Sequence, residues 1–171
     1  MKENLPYQLI CSDIDGTLLD VNRDLSHETL EAFTKLGGNL PIVLASSRMP
    51  SAMHYLQEKL GISGAPLIAY NGGLILGEDG VVIESNAFNI SVLNTVISHR
   101  ADHYYNVSIY SNDDWFTARE DYWTQREMHN TRVDPTLLSL EKTTKYLTKN
   151  DQLVHKIMCM GEEAEIDNLV T

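Results

Sequence analysis

The sequence predicts an α/β fold: a parallel, Rossmann-like sheet in the N-terminal part, followed by a second region of α/β (α+β) character. Three observations carry this expectation. Between Tyr7 and Gly73, apolar runs of strand length alternate with segments in which apolar residues recur at helical spacing. Each of the three runs ends in a short polar stretch, as strands feeding right-handed crossovers do. Beyond about Ser85 the texture changes to a helix followed by alternating, antiparallel-type segments, which sets the expected division at 1–84 and 85–171.

Taken in order, Tyr7 to Ser12 reads as a buried strand. Ser26 is placed to cap a helix carrying Leu30, Phe33 and Leu36, which Gly37 and Gly38 end. "LPIVLAS" is a second strand, with Pro41 near its start where a strand tolerates it. Pro50 suits the first turn of a helix bearing Met53, Leu56 and Leu60, and Gly61 stands where a C-terminal cap belongs. "PLIAYNGG" is a third strand with a glycine turn, and Leu74 to Glu84 alternates around "GEDG" as a hairpin. Val92, Leu93, Val96 and Ile97 mark a helix. "NVSIYSNDDWFTARE" predicts two antiparallel strands turning at Asn112 to Asp114, "YWTQREMHN" a helix, "LVHKIMCM" a strand and "GEEAEIDNLV" the beginning of another helix.

Composition excludes several classes of function. The chain has 171 residues, 43% of them hydrophobic, which suffices for a real core. Its formal net charge is −11 and its 13 Lys and Arg residues are scattered, so it lacks the basic stripe that a nucleic-acid backbone demands. No apolar run approaches bilayer length, and "MKENLPYQ" has no signal-peptide pattern, so neither membrane nor nucleic acid is an expected partner and the cytoplasm is the expected compartment. Cys11 and Cys159 lie in the apolar runs LICS and IMCM, which reads as reduced, buried thiols.

The chemistry concentrates in "DIDGT". Asp13 and Asp15 are separated by one residue, so on a continuing strand they share a side and repel unless a cation lies between them. Few hard oxygen ligands, with room left for water and phosphate, describe Mg²⁺. Asp13 is then placed to attack phosphorus as a nucleophile, and Asp15 to protonate the leaving oxygen and later activate water. Gly16 lets the backbone approach closely, and Thr17 can hold the loop through its hydroxyl. An isolated Asp-x-Asp is ordinarily a solvated turn. Here an apolar strand precedes it, and Ser46, Ser47 and Arg48 and then Asn71, Gly72 and Gly73 follow the next two strands. In open α/β sheets ligands bind beyond those carboxyl ends.

These segments resemble the haloacid dehalogenase superfamily, in its Cof-type branch. "DIDGT" resembles the first motif; "IVLASSRMP" looks like the second, with Ser46, Ser47 and Arg48 where the branch usually has Thr-Gly-Arg; and "AYNGGLI" is similar to its Asn-Gly turn. "HKIMCMGEEAEIDNLV" looks like the late part of the branch's cap domain. The resemblance implies a core domain begun by residues 1–84 and an α/β cap over 85–171, incomplete. It also implies a Mg²⁺-dependent phosphatase of small phosphorylated metabolites such as sugar phosphates, working through an aspartyl phosphate. Asp13 and Asp15 would be catalytic and bind the metal, Ser46 would grip the phosphate, and Ser47, Arg48, Asn71 and Gly72 would complete the substrate-binding set. The family's third motif, a Lys, and fourth, an acidic loop, would follow the cap, and the sequence reaches Thr171 without them. The expectation is therefore weak Mg²⁺ binding, little turnover from these residues alone and an open sheet edge beside the first strand. A sugar phosphomutase and a noncatalytic binding module are the alternatives.

Other signals point to structure. His99 and His103 could share a helix face for zinc but have no third ligand at suitable spacing, so a solvated face is expected. Trp115, Phe116, Tyr122 and Trp123 are expected mainly in a small core, with the lining of a pocket as the alternative. Arg48 is divided between a role at the site and a pairing with a surface carboxylate.

Overall fold

The computed structural model describes residues 7–36, 38–100 and 104–170, with the backbone alone for Val170. Gly37 and His103, both named above, lie outside the described residues. The chain divides into two compact units, Met1–Ser85 and Asn86–Thr171.

Unit 1 runs β1 (Ile10–Asp13), α1 (His27–Leu36), β2 (Ile42–Ala45), α2 (Ser51–Lys59), β3 (Leu67–Ala69), β4 (Leu74–Leu76) and β5 (Val82–Ser85). The sheet order is β1-β2-β3-β4-β5, with the first three strands parallel and β3, β4 and β5 antiparallel. The predicted strand and helix alternation is thus present, and the Ser26 hydroxyl accepts the Thr29 N–H at 3.1 Å as the cap of α1. α2 ends as its glycine predicts. Gly61, at φ +70°, donates to the Glu58 carbonyl while Ile62 donates to that of Gln57, the paired bonds of a left-handed helix stop. Ile42, Leu44, Leu67 and Leu74 of the sheet and Met53 and Leu56 of α2 are all buried.

The first strand departs from expectation in two ways. It starts at Ile10 rather than Tyr7, and its residues alternate between half-buried and exposed, with Tyr7 and Leu9 exposed as well. Cys11 is accordingly exposed, not buried. The cause is position: β1 is the last strand on its side of the sheet, so an apolar run that reads as interior has only one neighbouring strand.

Unit 2 contains α3 (Ile90–Arg100), β6 (Asn106–Ser111), β7 (Asp114–Thr117), α4 (Tyr122–Thr131), β8 (Thr136–Leu137), α5 (Leu140–Lys149), β9 (Lys156–Met160) and α6 (Glu163–Val170). Its sheet order is β8-β7-β6-β9. β6 and β7 pair antiparallel around Asn112, whose φ of +51° suits an Asn in a tight turn. Both faces of β6 are buried. Val107 and Ile109 meet Leu93, Phe116 and Leu147 in a hydrophobic core. The alternate residues, Asn106 and Tyr110, reach side chains of α4 and its cap. Cys159 packs half-buried against that core, where burial pushes its thiol up to about 11. Trp115 and Phe116 are interior as expected; Tyr122, the first residue of α4, is 68% exposed and packs in no core. Among the described residues no helix is long and apolar enough to cross a membrane.

Candidate active site

The parallel register sets the site. Asp13, the last residue of β1, pairs with Ala45, the last residue of β2, and Ala45 pairs with Ile68 in β3. Three strands therefore finish side by side, and the polar residues after them emerge along one edge. Ser46 continues the ladder by donating its N–H to the Ile68 carbonyl at 2.9 Å.

After Asp13 the chain leaves the strand. The Ile14 carbonyl accepts from the N–H groups of Thr17, Leu18 and Leu19, and the fully buried Ile14 side chain anchors the resulting turn. Gly16, at φ +81°, makes this turn possible. Asp13 and Asp15 therefore do not sit on one continuing strand, and they have different partners. Asp13 is exposed, and its Oδ2 accepts a bond of 3.3 Å from the Thr17 hydroxyl, the role foreseen for Thr17.

Asp15 is held much more firmly. Arg48 Nε donates to Oδ2 and Nη2 to Oδ1, each at 2.8 Å, a bidentate pair, and Arg23 Nη2 donates to Oδ1 at 2.9 Å. Arg48 is only 5% exposed, and its remaining terminal nitrogen, Nη1, reaches the Ala52 carbonyl and the Tyr55 hydroxyl. Burial alone would push the Arg48 guanidinium's pKa down; the hydrogen bonds and negative charge of Asp15, aided by Tyr55, more than offset this and raise it. Arg48 thus pairs with the candidate catalytic carboxylate rather than with one elsewhere on the surface.

Arg23 is a site residue that sequence reasoning missed. It stands at φ +60° in a small loop closed by the Leu19 and Leu25 bridge, where Asp20 accepts from the backbone of Asn22 and Asp24. The signal was present in "DVNRD", an Asx-turn composition that folds the chain back toward its own origin.

Ser46 is 4% exposed and its Oγ accepts the Arg48 N–H at 3.2 Å, which leaves the hydroxyl proton available to donate. Ser47 is exposed. From β3, Tyr70 N–H donates to the Arg48 carbonyl and Asn71 N–H to the Ser46 carbonyl. These bonds need three consecutive residues with positive φ: Tyr70 (+53°), Asn71 (+55°) and Gly72 (+94°). Asn71 is exposed and Gly72 half-buried beside the loop after β2. The seven residues named from the sequence thus belong to three adjoining strand ends. A separate cavity of about 520 Å³, lined in part by His54, Gln57, Gly64 and Asp79, includes none of them.

For a cation, Asp13 is the open carboxylate. Both Asp15 oxygens face guanidinium groups, which argues against its side chain as a second metal ligand in this arrangement, and no cluster of three or more His, Cys, Asp or Glu residues among those described could hold a metal. The His99 ring nitrogens lie within hydrogen-bonding distance of the Tyr105 hydroxyl and the Asn168 carbonyl, so this side chain is tied into unit 2 rather than solvated.

Three parallel strands thus end beside one another with two carboxylates, a serine and an arginine at their tips, and solved structures share the fold. The protein TM0651 from Thermotoga maritima matches with a TM-score of 0.79 and 21% identity, over 95% of this chain and 60% of its own. A structure described as the HAD subclass IIB sugar phosphatase BT4131 matches with a TM-score of 0.72 and 18% identity, over 96% and 63%. A haloacid dehalogenase-like hydrolase from Bacteroides thetaiotaomicron gives 0.71 and 22%, over 78% and 52%. The chain thus spans about half to three-fifths of the length of these proteins. The sequence pattern of haloacid dehalogenase-like hydrolases matches residues 10–171, and the chain belongs to that family.

Proposed function

We propose that the protein is a phosphatase of small phosphorylated metabolites, sugar phosphates foremost, in which Asp13 is the nucleophile. The carrying observation is the unequal treatment of two carboxylates that are two residues apart. Asp13 is exposed and lightly held at a strand end, as a nucleophile must be, while Asp15 is fixed in position by two arginines that favour its ionised form, so that it has to part from one of them to exchange a proton. Attack of an Asp13 oxygen on phosphorus would form an aspartyl phosphate and release the alcohol. Asp15 would supply that alcohol's proton and then accept one from the water that cleaves the acyl phosphate, regenerating Asp13 and freeing phosphate. Ser46 would donate its hydroxyl proton to a phosphoryl oxygen, and exposed Ser47 and Asn71 would border the same group.

One open carboxylate fits Mg²⁺, which is commonly held by one or two carboxylates with water and substrate phosphate filling the rest. Asp13 would hold it, and the ion would neutralise the charge between that carboxylate and the anionic substrate. With a single open carboxylate, weak Mg²⁺ binding is expected of these 171 residues by themselves. The two arginines offset the charges of Asp13 and Asp15 at the rim, which lessens the repulsion an anionic substrate meets in an acidic protein. Comparison with a protein described as a sugar phosphatase supports the choice of substrate class.

The test is phosphate release from a generic aryl phosphate by the longest product of the gene, with and without Mg²⁺. Release should require the metal, and Asp13→Asn should abolish it; activity retained in that variant refutes the assignment of the nucleophile. Transfer of the phosphoryl group to a second sugar without free phosphate would instead identify a mutase.

A further inference from the structure

Unit 1 contains a cavity that the strand-end site does not use. Its volume, about 520 Å³, lies within the range of pockets that hold small organic ligands. Residues of α2 from His54 to Glu58, the loop at 63–65 and the turn at 77–80 between β4 and β5 enclose it. Leu67 and Leu76, register partners on β3 and β4, line it too, and its walls are chiefly apolar.

Specific bonds hold the enclosing segments together. Gln57 is 2% exposed, and its Nε2 donates to the Ala65 carbonyl at 2.7 Å, which ties α2 to the loop. The same bond fixes which way the amide points. It leaves Oε1, in the cavity wall, as an acceptor with no hydrogen bond among the described residues. Asp79, at φ +54°, donates its N–H to the Gly64 carbonyl at 3.0 Å, and its Oδ1 lies 2.8 Å from where a Cβ on Gly64 would stand. The turn is thus latched to the loop, with the Asp79 carboxylate set against another residue of the wall.

Charge and unmet acceptors decide the class of ligand. Gln57 offers its oxygen, and Glu58 and Asp79 carry carboxylates without an ion-pair partner among the described residues. No Lys or Arg lines the cavity, and His54 is its one basic side chain. An anion would be repelled in a protein of net charge −11, and a neutral apolar molecule would leave the acceptors unmet. An aromatic body bearing a primary ammonium satisfies both requirements: a charge with N–H donors for the oxygens, and an apolar face for Leu67, Leu76 and the Tyr55 ring. We infer that this cavity is a binding site for a small aromatic amine. The Tyr55 hydroxyl stands 3.4 Å from Arg48 Nη1, so the cavity adjoins the support of Asp15 while containing no residue assigned to catalysis. As a binding site it does not depend on the phosphatase reading.

NMR titration of the isotope-labelled 171-residue chain with phenethylamine tests it without any catalytic step. Shifts are expected in α2, at 63–65 and at 77–80. Binding should be about threefold weaker in Glu58→Gln and in Asp79→Asn, and about tenfold weaker in the two combined. Both residues are exposed, and asparagine accepts a positive φ as aspartate does, so the variants keep the fold. Phenethyl alcohol, which lacks the charge, should bind about tenfold more weakly than the amine, and hydrocinnamate, which reverses it, not detectably. Absence of shifts, shifts scattered over acidic residues elsewhere, equal affinity for the alcohol or the acid, or unchanged affinity in the double variant would each overturn the inference. None of these outcomes bears on Asp13, whose substitution tests the phosphatase reading separately.

Discussion

Each unit contains an arginine paired with an aspartate, and the two pairs are built on opposite terms. In unit 1, Arg48 is 5% exposed and all three of its nitrogens are engaged, two of them by Asp15. In unit 2, Arg119 is 29% exposed and, among the described residues, a single nitrogen is engaged, by Asp121. A guanidinium removed from water has to replace its whole hydration shell, so everything it offers is directed inward and its effect is to orient a neighbour. One left partly wet can leave donors to water. The number of engaged donors, more than the presence of an ion pair, separates the two arginines.

Substitutions can break this comparison, most forcefully at Arg48. Arg48→Met should destabilise the protein by about 2–3 kcal/mol in urea unfolding, less than for a fully buried pair because Asp15 is 40% exposed and keeps Arg23. Arg48→Lys should recover under half of that, since an ammonium cannot reproduce the bidentate fork. A loss below about 0.5 kcal/mol for Arg48→Met would erase the distinction. Next comes Asp121→Ala, which removes a helix cap and the partner of both Arg119 and Asn106; about 2 kcal/mol is expected, visible as a lower thermal midpoint. Arg119→Gln should cost well under 1 kcal/mol in the same measurement, far less than Arg48→Met.

A pH series gives the smallest effect and sharpens the view of unit 2. Burial lowers the pKa of His155 below its ordinary 6.5, and its Nδ1 accepts the Asn112 N–H at 2.9 Å, an arrangement that requires the unprotonated nitrogen. The unfolded chain takes up this proton near 6.5 and the folded chain only at lower pH, so the contribution is complete above 6.5 and declines as pH falls from there toward the folded value. Urea midpoints between pH 7 and 5 should therefore drop, and the part due to this imidazole should vanish in His155→Gln.

Local signals made most elements legible. β2 and β3 announced themselves as compact apolar runs between breakers, and α2 by its spacing and Gly61. β8 is two residues long, too short for any alternation to show. α5 was recoverable and passed over: Ser139 precedes it as a cap, and Leu140, Thr143 and Leu147 follow at helical spacing in a segment dominated by Lys and Thr. The reading of β1 failed because hydrophobicity reports how apolar a strand is, not how many neighbours it has. At the site, the pair of aspartates was visible in five letters, whereas their division of labour was not. That division depends on Arg48, 33 residues distant from Asp15, and on a loop that turns Arg23 back. Tyr122 escaped because an aromatic at the first position of a helix has no preceding turn to lean on.

The clasp between β3 and the loop after β2 has a consequence for change over time. Ser46 and Arg48 are located by main-chain bonds from Tyr70 and Asn71 and to Ile68, none of which involves the side chain of residue 47 or 71. Replacements at position 47 leave that scaffold standing, whereas residue 71 is also bound by its left-handed backbone, so the rim can acquire new chemistry by single steps at 47 while the frame beneath it is inherited intact.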